Sequence, residues 1–292
     1  MIEETSPALR DRVQISMDKK SLRQKLKDFP WWFVALLMII FSSYVLIAIN
    51  PKYKDAFLFI RIGLSTTITT TLSAFFIALI IGLITGLGRI SQSVFFRNLA
   101  TLYVEFIRGV PMLVLIFFIA FAGVPGVVDG LNVIGHWLQS IGVNFLAAPL
   151  ITLENKNIDM TVRAVIALSV TYGAFLAEIF RAGIQSIGYG QMEAARSQGM
   201  SFWQAMYYII LPQAIRNVLP ALGNDFVAML KDTSLVSVLA VRDITQVARL
   251  YAGRSFRYEE TYTTLVIMYL SMTVILSLLV KYLERRYHRS ER

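Results

Sequence analysis

The chain has 292 residues, 56% hydrophobic and 16% charged, with a net charge of +9, two histidines and no cysteine. That composition excludes a soluble globule, a disulfide framework, a thiol nucleophile and a thiolate metal site. The positive charge gathers at the two ends, as in a membrane protein with both termini cytoplasmic, and argues against nucleic acid as a partner.

Residues 1–30 read as a basic cytoplasmic tail with Arg10, Arg12, Lys19, Lys20, Arg23, Lys25 and Lys27. They lack the apolar stretch of a cleavable leader. "WWFVALLMIIFSSYVLIAI" (31–49) reads as a first span, with Trp31 and Trp32 at the inner interface. "NPKYKDAF" follows as a short outer turn. The second span, about 63–87, contains "STTITTT", whose hydroxyls can bond backbone carbonyls or a neighbouring helix. "RISQSVFFRN" is a basic inner loop carrying Arg89 and Arg97.

A third span is expected at about 101–123, kinked by Pro111, and then a long outer break from 124 to 161. "VVDGLNVIGHWLQSIGV" in that break suits a short amphipathic helix lying on the outer surface. The fourth span covers about 162–182. The fifth runs from Pro212 to about Val238, and the outer segment "RDITQVARLYAGRSFRYEETY" leads to a last span at about 263–281. A basic cytoplasmic tail closes the chain at 282–292, with Arg285, Arg286, Arg289 and Arg292. Glu105 with Arg108, and Glu178 with Arg181, are spaced as structural ion pairs within their helices. His136 and His288 read as surface residues, with no metal role.

Between the fourth and fifth spans lies "QMEAARSQGMSFWQAMYYIILPQA" (191–214). Residues 191–198 can form two helical turns, and Gly199 suits the left-handed position that stops a helix. Ser201 with Gln204 is a capping-box pattern, so a second helix starts at once and runs to Leu211–Pro212. The physical reading is a helix–turn–helix across the cytoplasmic face, joined to the fifth span. An ordinary interfacial hairpin has the same periodicity.

Read literally, Glu193-Ala194-Ala195, Gly199, Ile209 and Leu211-Pro212 fall at the defining spacing of the EAA motif of ABC transporter permease subunits. "YVEFIRGVPMLVLIFF" (103–118), "AEIFRAGIQSIGYGQMEAARSQGMS" (177–201) and "LGNDFVAMLKDTSLVSVLAV" (222–241) extend the likeness over about 60–292. Together they resemble permeases of the polar amino acid uptake family, of the histidine/glutamine/arginine type.

The resemblance implies an all-α integral membrane protein with about six transmembrane helices. Five would form the permease domain at 60–281, and the helix at 31–49 would be an N-terminal addition. The long 124–161 segment also exceeds the usual pattern. The pair of helices at 191–210, with Glu193, Ala194, Ala195, Gly199 and Ser201, would be the coupling element seated in a groove of a cytoplasmic ATPase. Glu193 would contact the ATPase and Gly199 would permit the turn. The implied partners are an ATP-binding subunit dimer, a second permease subunit (identical or paralogous), an extracytoplasmic amino-acid-binding protein and the lipid of a bacterial inner membrane. ATP and Mg would reside on the ATPase. This chain has no G-x-x-x-x-G-K-[ST] phosphate loop and no nucleophile–base constellation, so it is expected to be a transport subunit without enzymatic activity or cofactor of its own.

Ionisable residues inside a span are candidates for function. The fifth span holds Asn224, Asp225, Lys231 and Asp232, followed by Thr233 and Ser234. Asp232 lies two turns beyond Asp225 on nearly the same face, about 10 Å away. Two carboxylates there suit a cationic or zwitterionic ligand and lean toward a basic amino acid. Neutralisation of Asp232 by Lys231 is the competing structural role. A secondary transporter or channel using Asp225 and Asp232 as ion or proton sites is the alternative from another class.

Overall fold

The computed structural model describes residues 31–288, all of whose regular elements are helical. The basic tail expected at 1–30, and residues 289–292 of the tail expected at 282–292, lie outside the described residues. The chain divides into two units, 1–46 and 47–292. The described part of the first is most of helix α1 (Trp31–Ile49), which carries no charge and is apolar on every side, as a lipid-embedded helix requires.

In the second unit, Asn50 accepts a hydrogen bond from the Lys52 N–H and Pro51 opens helix α2 (Pro51–Ile60). The segment expected as an outer turn is therefore a helix, because Asn-Pro is a helix start as well as a turn signal. A short 3₁₀ stretch, Arg61–Gly63, joins it to α3 (Leu64–Arg89), giving one rod from Pro51 to Arg89. In "STTITTT" the Thr67, Thr69 and Thr71 hydroxyls bond backbone carbonyls of their own helix, and the Thr67 hydroxyl also accepts the Ile244 N–H at 3.1 Å.

Helix α4 (Val94–Gly109) ends at an extended Val110, and Pro111 begins α5 (Met112–Phe118). The expected third span at 101–123 is thus corrected: the chain breaks at its proline, because the residue before a proline is driven out of helical geometry. From Met112 the backbone stays helical, through a π turn at Ile119–Gly123, into α6 (Val124–Ser140). The outer break expected at 124–161 is also corrected. It is the second half of a 29-residue apolar rod, Met112–Ser140, followed by α7 (Asn144–Ile151) folded back onto α6 after Gly142, whose φ is +84°. A Cβ on Gly135 would stand 2.8 Å from Ile151, so the hairpin closes on a bare backbone.

Asp159 caps α8 (Met160–Gln185) by accepting the Thr161 N–H at 2.7 Å. Arg163, almost fully buried, donates to the carbonyls of Ala120, Asn155 and Ile158 and so ties the π turn to the segment before α8. Helices α9 (Tyr189–Ser197) and α10 (Phe202–Ala205) follow, then a π turn at Met206–Ile210 and α11 (Leu211–Asp232). The expected fifth span is shorter than its apolar pattern: α11 gives way to 3₁₀ geometry at Thr233–Leu239. Helix α12 (Ile244–Ser255), capped by Asp243, precedes the 31-residue α13 (Tyr258–His288).

The core is the seam between α3 and α8. Ala74, Ala78, Gly82 and Gly86 recur every four residues on α3 and are buried. A Cβ on Gly82 would lie 2.7 Å from the Leu176 Cβ, and one on Gly86 would lie 2.9 Å from the Ala177 carbonyl oxygen. Small residues let the two backbones approach where lipid offers no hydrophobic drive between helices. The Ser169 hydroxyl donates across the seam to the Ala74 carbonyl at 3.2 Å. A second cluster joins α2, α12 and α13 through Ile60, Ile244, Ala248 and Met268. Among the described residues, five helical rods are long and apolar enough to cross a bilayer. Helix α11, 22 residues and ~33 Å long, makes about six.

Candidate coupling element and polar pathway

The stretch at 191–214 folds as a helix, a tight reversal and a second helix. Gly199, at φ +84°, donates to the Arg196 carbonyl, and the Met200 N–H donates to the Ala195 carbonyl at 3.2 Å. This pair of bonds is the Schellman closure, and it requires the left-handed residue that glycine supplies. Two residues on, the Ser201 hydroxyl accepts the Gln204 N–H while the Gln204 side chain accepts the Ser201 N–H. The capping box is complete on both sides.

The second helix, expected to run to Leu211–Pro212 and join the fifth span there, passes through the proline into that span. The backbone is helical without a gap from Phe202 to Asp232. Proline lacks an N–H and crowds the carbonyl four residues back. Just ahead of it the helix widens by one residue, so that the Leu211 N–H reaches the Met206 carbonyl. The same device stands ahead of Pro125, where the Val124 N–H reaches Ile119. Helix α10 is therefore a direct extension of α11.

The element is anchored on one face only. Ala195 is buried, and Met206 and Ile210 pack with Ile184 of α8 and Ala214 of α11. Glu193, Ala194, Gly199 and Ser201 are exposed. The α8–α11 contact beneath is close, since a Cβ on Gly183 would collide with a Val218 methyl. The Asn217 side chain also donates to the Ser186 hydroxyl at 3.0 Å.

Beside the element lies an ion network. Glu178 and Arg181 pair within α8. No Glu105–Arg108 pair is present among the described residues, which corrects that expectation. Arg89, the last residue of α3, reaches Glu178 at 2.5 Å and Glu105 at 3.5 Å, bridging α3, α8 and α4. The Arg108 guanidinium instead stands 5.9 Å from the Phe175 ring centroid.

Along α11, Asn224 and Lys231 are exposed and Asp225 is half-buried. Asp232 accepts a 2.7 Å hydrogen bond from the Tyr172 hydroxyl of α8, not a charge from Lys231. Tyr172 also lies within electrostatic reach of Asp225. Thr233 and Ser234 belong to the 3₁₀ stretch, where the Thr233 hydroxyl donates to the Leu230 carbonyl. Sequence reasoning missed Tyr172, which no local pattern marks, and saw Arg89 only as a topology charge.

Residues 78–289 match the family described as "Binding-protein-dependent transport system inner membrane component". The chain belongs to this family. The permease is 36% identical to the Probable amino-acid permease protein YxeN of Bacillus subtilis over 223 residues, 76% of this chain and 88% of that protein. It is 32% identical to the Glutamine transport system permease protein GlnP of Escherichia coli over 71% of this chain and 83% of that one. Among solved structures, "Crystal structure of an amino acid ABC transporter with histidines" aligns at a TM-score of 0.62 and 36% identity, covering 80% of the permease and 95% of that chain. A methionine ABC transporter structure, MetNI, shares the fold at 18% identity and a TM-score of 0.57. Helices α1 and α2 precede the family match. Family membership settles the class as an ABC importer permease and not a secondary carrier.

Proposed function

We propose that the permease carries polar amino acids inward as one of two permease chains, identical or paralogous, around a shared pathway. Separate ATP-binding subunits hold ATP and Mg and act on α9 and α10, and an extracytoplasmic binding protein delivers the substrate. Both termini are cytoplasmic. The observation that carries this reading is the uninterrupted helical backbone from the capped element at 201 to Asp225 and Asp232, so that a displacement of α10 is a displacement of the helix bearing the carboxylates. The amino-acid substrate is supported by the names of the relatives, and the two carboxylates add a lean toward basic amino acids.

Co-purification tests the assignment. An ATP-hydrolysing chain is expected to accompany the affinity-tagged permease from its native membrane, and Glu193→Arg is expected to release it while the permease remains inserted. A permease that transports without any ATPase would overturn the proposal. Stimulation of ATP hydrolysis across a panel of amino acids then ranks the substrates, with arginine, lysine or histidine expected to lead.

A further inference from the structure

Two grooves open side by side where the α3–α4 turn meets the coupling element. One, of about 760 Å³, is mostly apolar and runs between Ile84, Leu99, Trp203 and Met206. The other, of about 490 Å³, is ringed by Arg89, Arg97 and Arg196. They share Ile90, Ser91, Gln92, Phe202 and Met206, so they form one continuous furrow with an apolar arm and a cationic head.

The charge at the head is uncompensated in two of its three arginines. Arg89 is taken up by Glu178 and Glu105, but Arg97 and Arg196 are exposed and have no carboxylate partner among the described residues. The depths match a lipid. Ile84 lies five residues before Arg89 on α3, ~7.5 Å deeper into the bilayer. Trp203, Tyr207 and Tyr208 project exposed from α10 and the adjoining π turn, as aromatic side chains do at the headgroup level. Basic pockets between membrane helices on the cytoplasmic side suit anionic headgroups.

We infer that this furrow binds one anionic phospholipid of the inner leaflet, its phosphate between Arg97 and Arg196 and an acyl chain along Ile84 and Leu99. The inference rests on the reading that puts α9 and α10 at the cytoplasmic face. The lipid would bridge the α3–α4 turn and the coupling element, a contact the protein alone leaves open.

The test is native mass spectrometry of the full-length permease released from bilayers of equal phosphatidylglycerol and phosphatidylcholine. Wild type retains phosphatidylglycerol over phosphatidylcholine by about an order of magnitude, the scale expected for two arginines near a membrane surface. Arg97→Gln with Arg196→Gln abolishes the preference. The lysine pair, Arg97→Lys with Arg196→Lys, keeps most of it, and the glutamine pair elutes with the wild type on size-exclusion chromatography, which shows that it folds. Arg285→Gln with Arg286→Gln, equally basic in origin but outside the furrow, leaves it unchanged. Equal retention of the two lipids by wild type, an undiminished preference in the glutamine pair, or displacement of the lipid by excess inorganic phosphate each overturns the inference. ATPase co-purification is read separately, so failure here does not touch the coupling assignment.

Discussion

Arg89 shows how one side chain can hold three helices together at one end. Its guanidinium is mostly covered and spans Glu178 and Glu105, but the two contacts are unequal. The Glu178 contact is short and half-enclosed, whereas Glu105 is largely exposed and sits at the limit of contact. Arg89→Gln is therefore expected to cost about 1–3 kcal/mol, the scale of hydrogen bonds to charged groups, and Glu105→Gln less than about 1 kcal/mol, as for a surface pair. Thermal unfolding of the two variants in detergent checks the order. At the other depth, Tyr172→Phe removes the hydroxyl that Asp232 accepts. If the carboxylates hold substrate, this variant and Asp225→Asn change the substrate concentration for half-maximal uptake with little effect on the amount of protein in the membrane. Uptake curves that superimpose on wild type would exclude both residues from the pathway.

At the scale of elements, the seam between α3 and α8 depends on bare backbone. Gly82→Leu places a branched side chain where a Cβ already meets Leu176 at 2.7 Å, and overpacking of this kind costs about 1–3 kcal/mol or more. The expected outcome is loss of folded permease on size-exclusion chromatography, against normal behaviour for Gly126→Leu, where a Cβ meets nothing. The N-terminal cap of α8 adds a pH signature. Bonds from Thr161 hold the Asp159 carboxyl below its ordinary range. Its contribution is present above the unfolded value and is lost as pH falls through the lower folded value. The acid-side slope of a melting-temperature profile is expected to flatten in Asp159→Ala.

Much of this was legible. The period of small residues, Ala74 to Gly86, stands in the sequence, although hydropathy alone hides it because alanine and glycine in a span read simply as apolar. The turn at Gly199 and the box at Ser201–Gln204 were readable because a left-handed glycine and an N-cap are local devices. The break at Pro111 and the helix at Pro51–Ile60 were misjudged because proline both ends and begins helices. Which it does depends on the residues it meets in three dimensions. A helix within 124–161 was readable, but its continuity with the rod from Met112 was hidden for a similar reason, since its glycines and Pro125 imitate a break until packing against α7 and the Arg163 brace fix it. Tyr172 and the Arg89 bridge arise from contacts distant in the chain, and no spacing rule reaches them.

For the molecule as a whole, the ATP-hydrolysing partner we propose lies outside this chain, and the coupling element is the exposed part of the fold on which we propose that it acts. A Schellman closure ends the element's first helix and a capping box starts its second, its inner face is buried on α8 and α11, and the second helix runs on into α11. The turn between the halves is closed at the left-handed Gly199. Gly199→Val is the sharpest perturbation, because its Cβ would touch no other atom while its backbone is held at φ +84°, a conformation costing a branched residue ~1–2 kcal/mol or more. The decisive measurement is the ratio of amino acid taken up to ATP hydrolysed in proteoliposomes of the complete transporter. The account predicts that Gly199→Val inserts normally and still hydrolyses ATP while uptake per ATP falls by roughly tenfold. Uptake per ATP equal to wild type would contradict it.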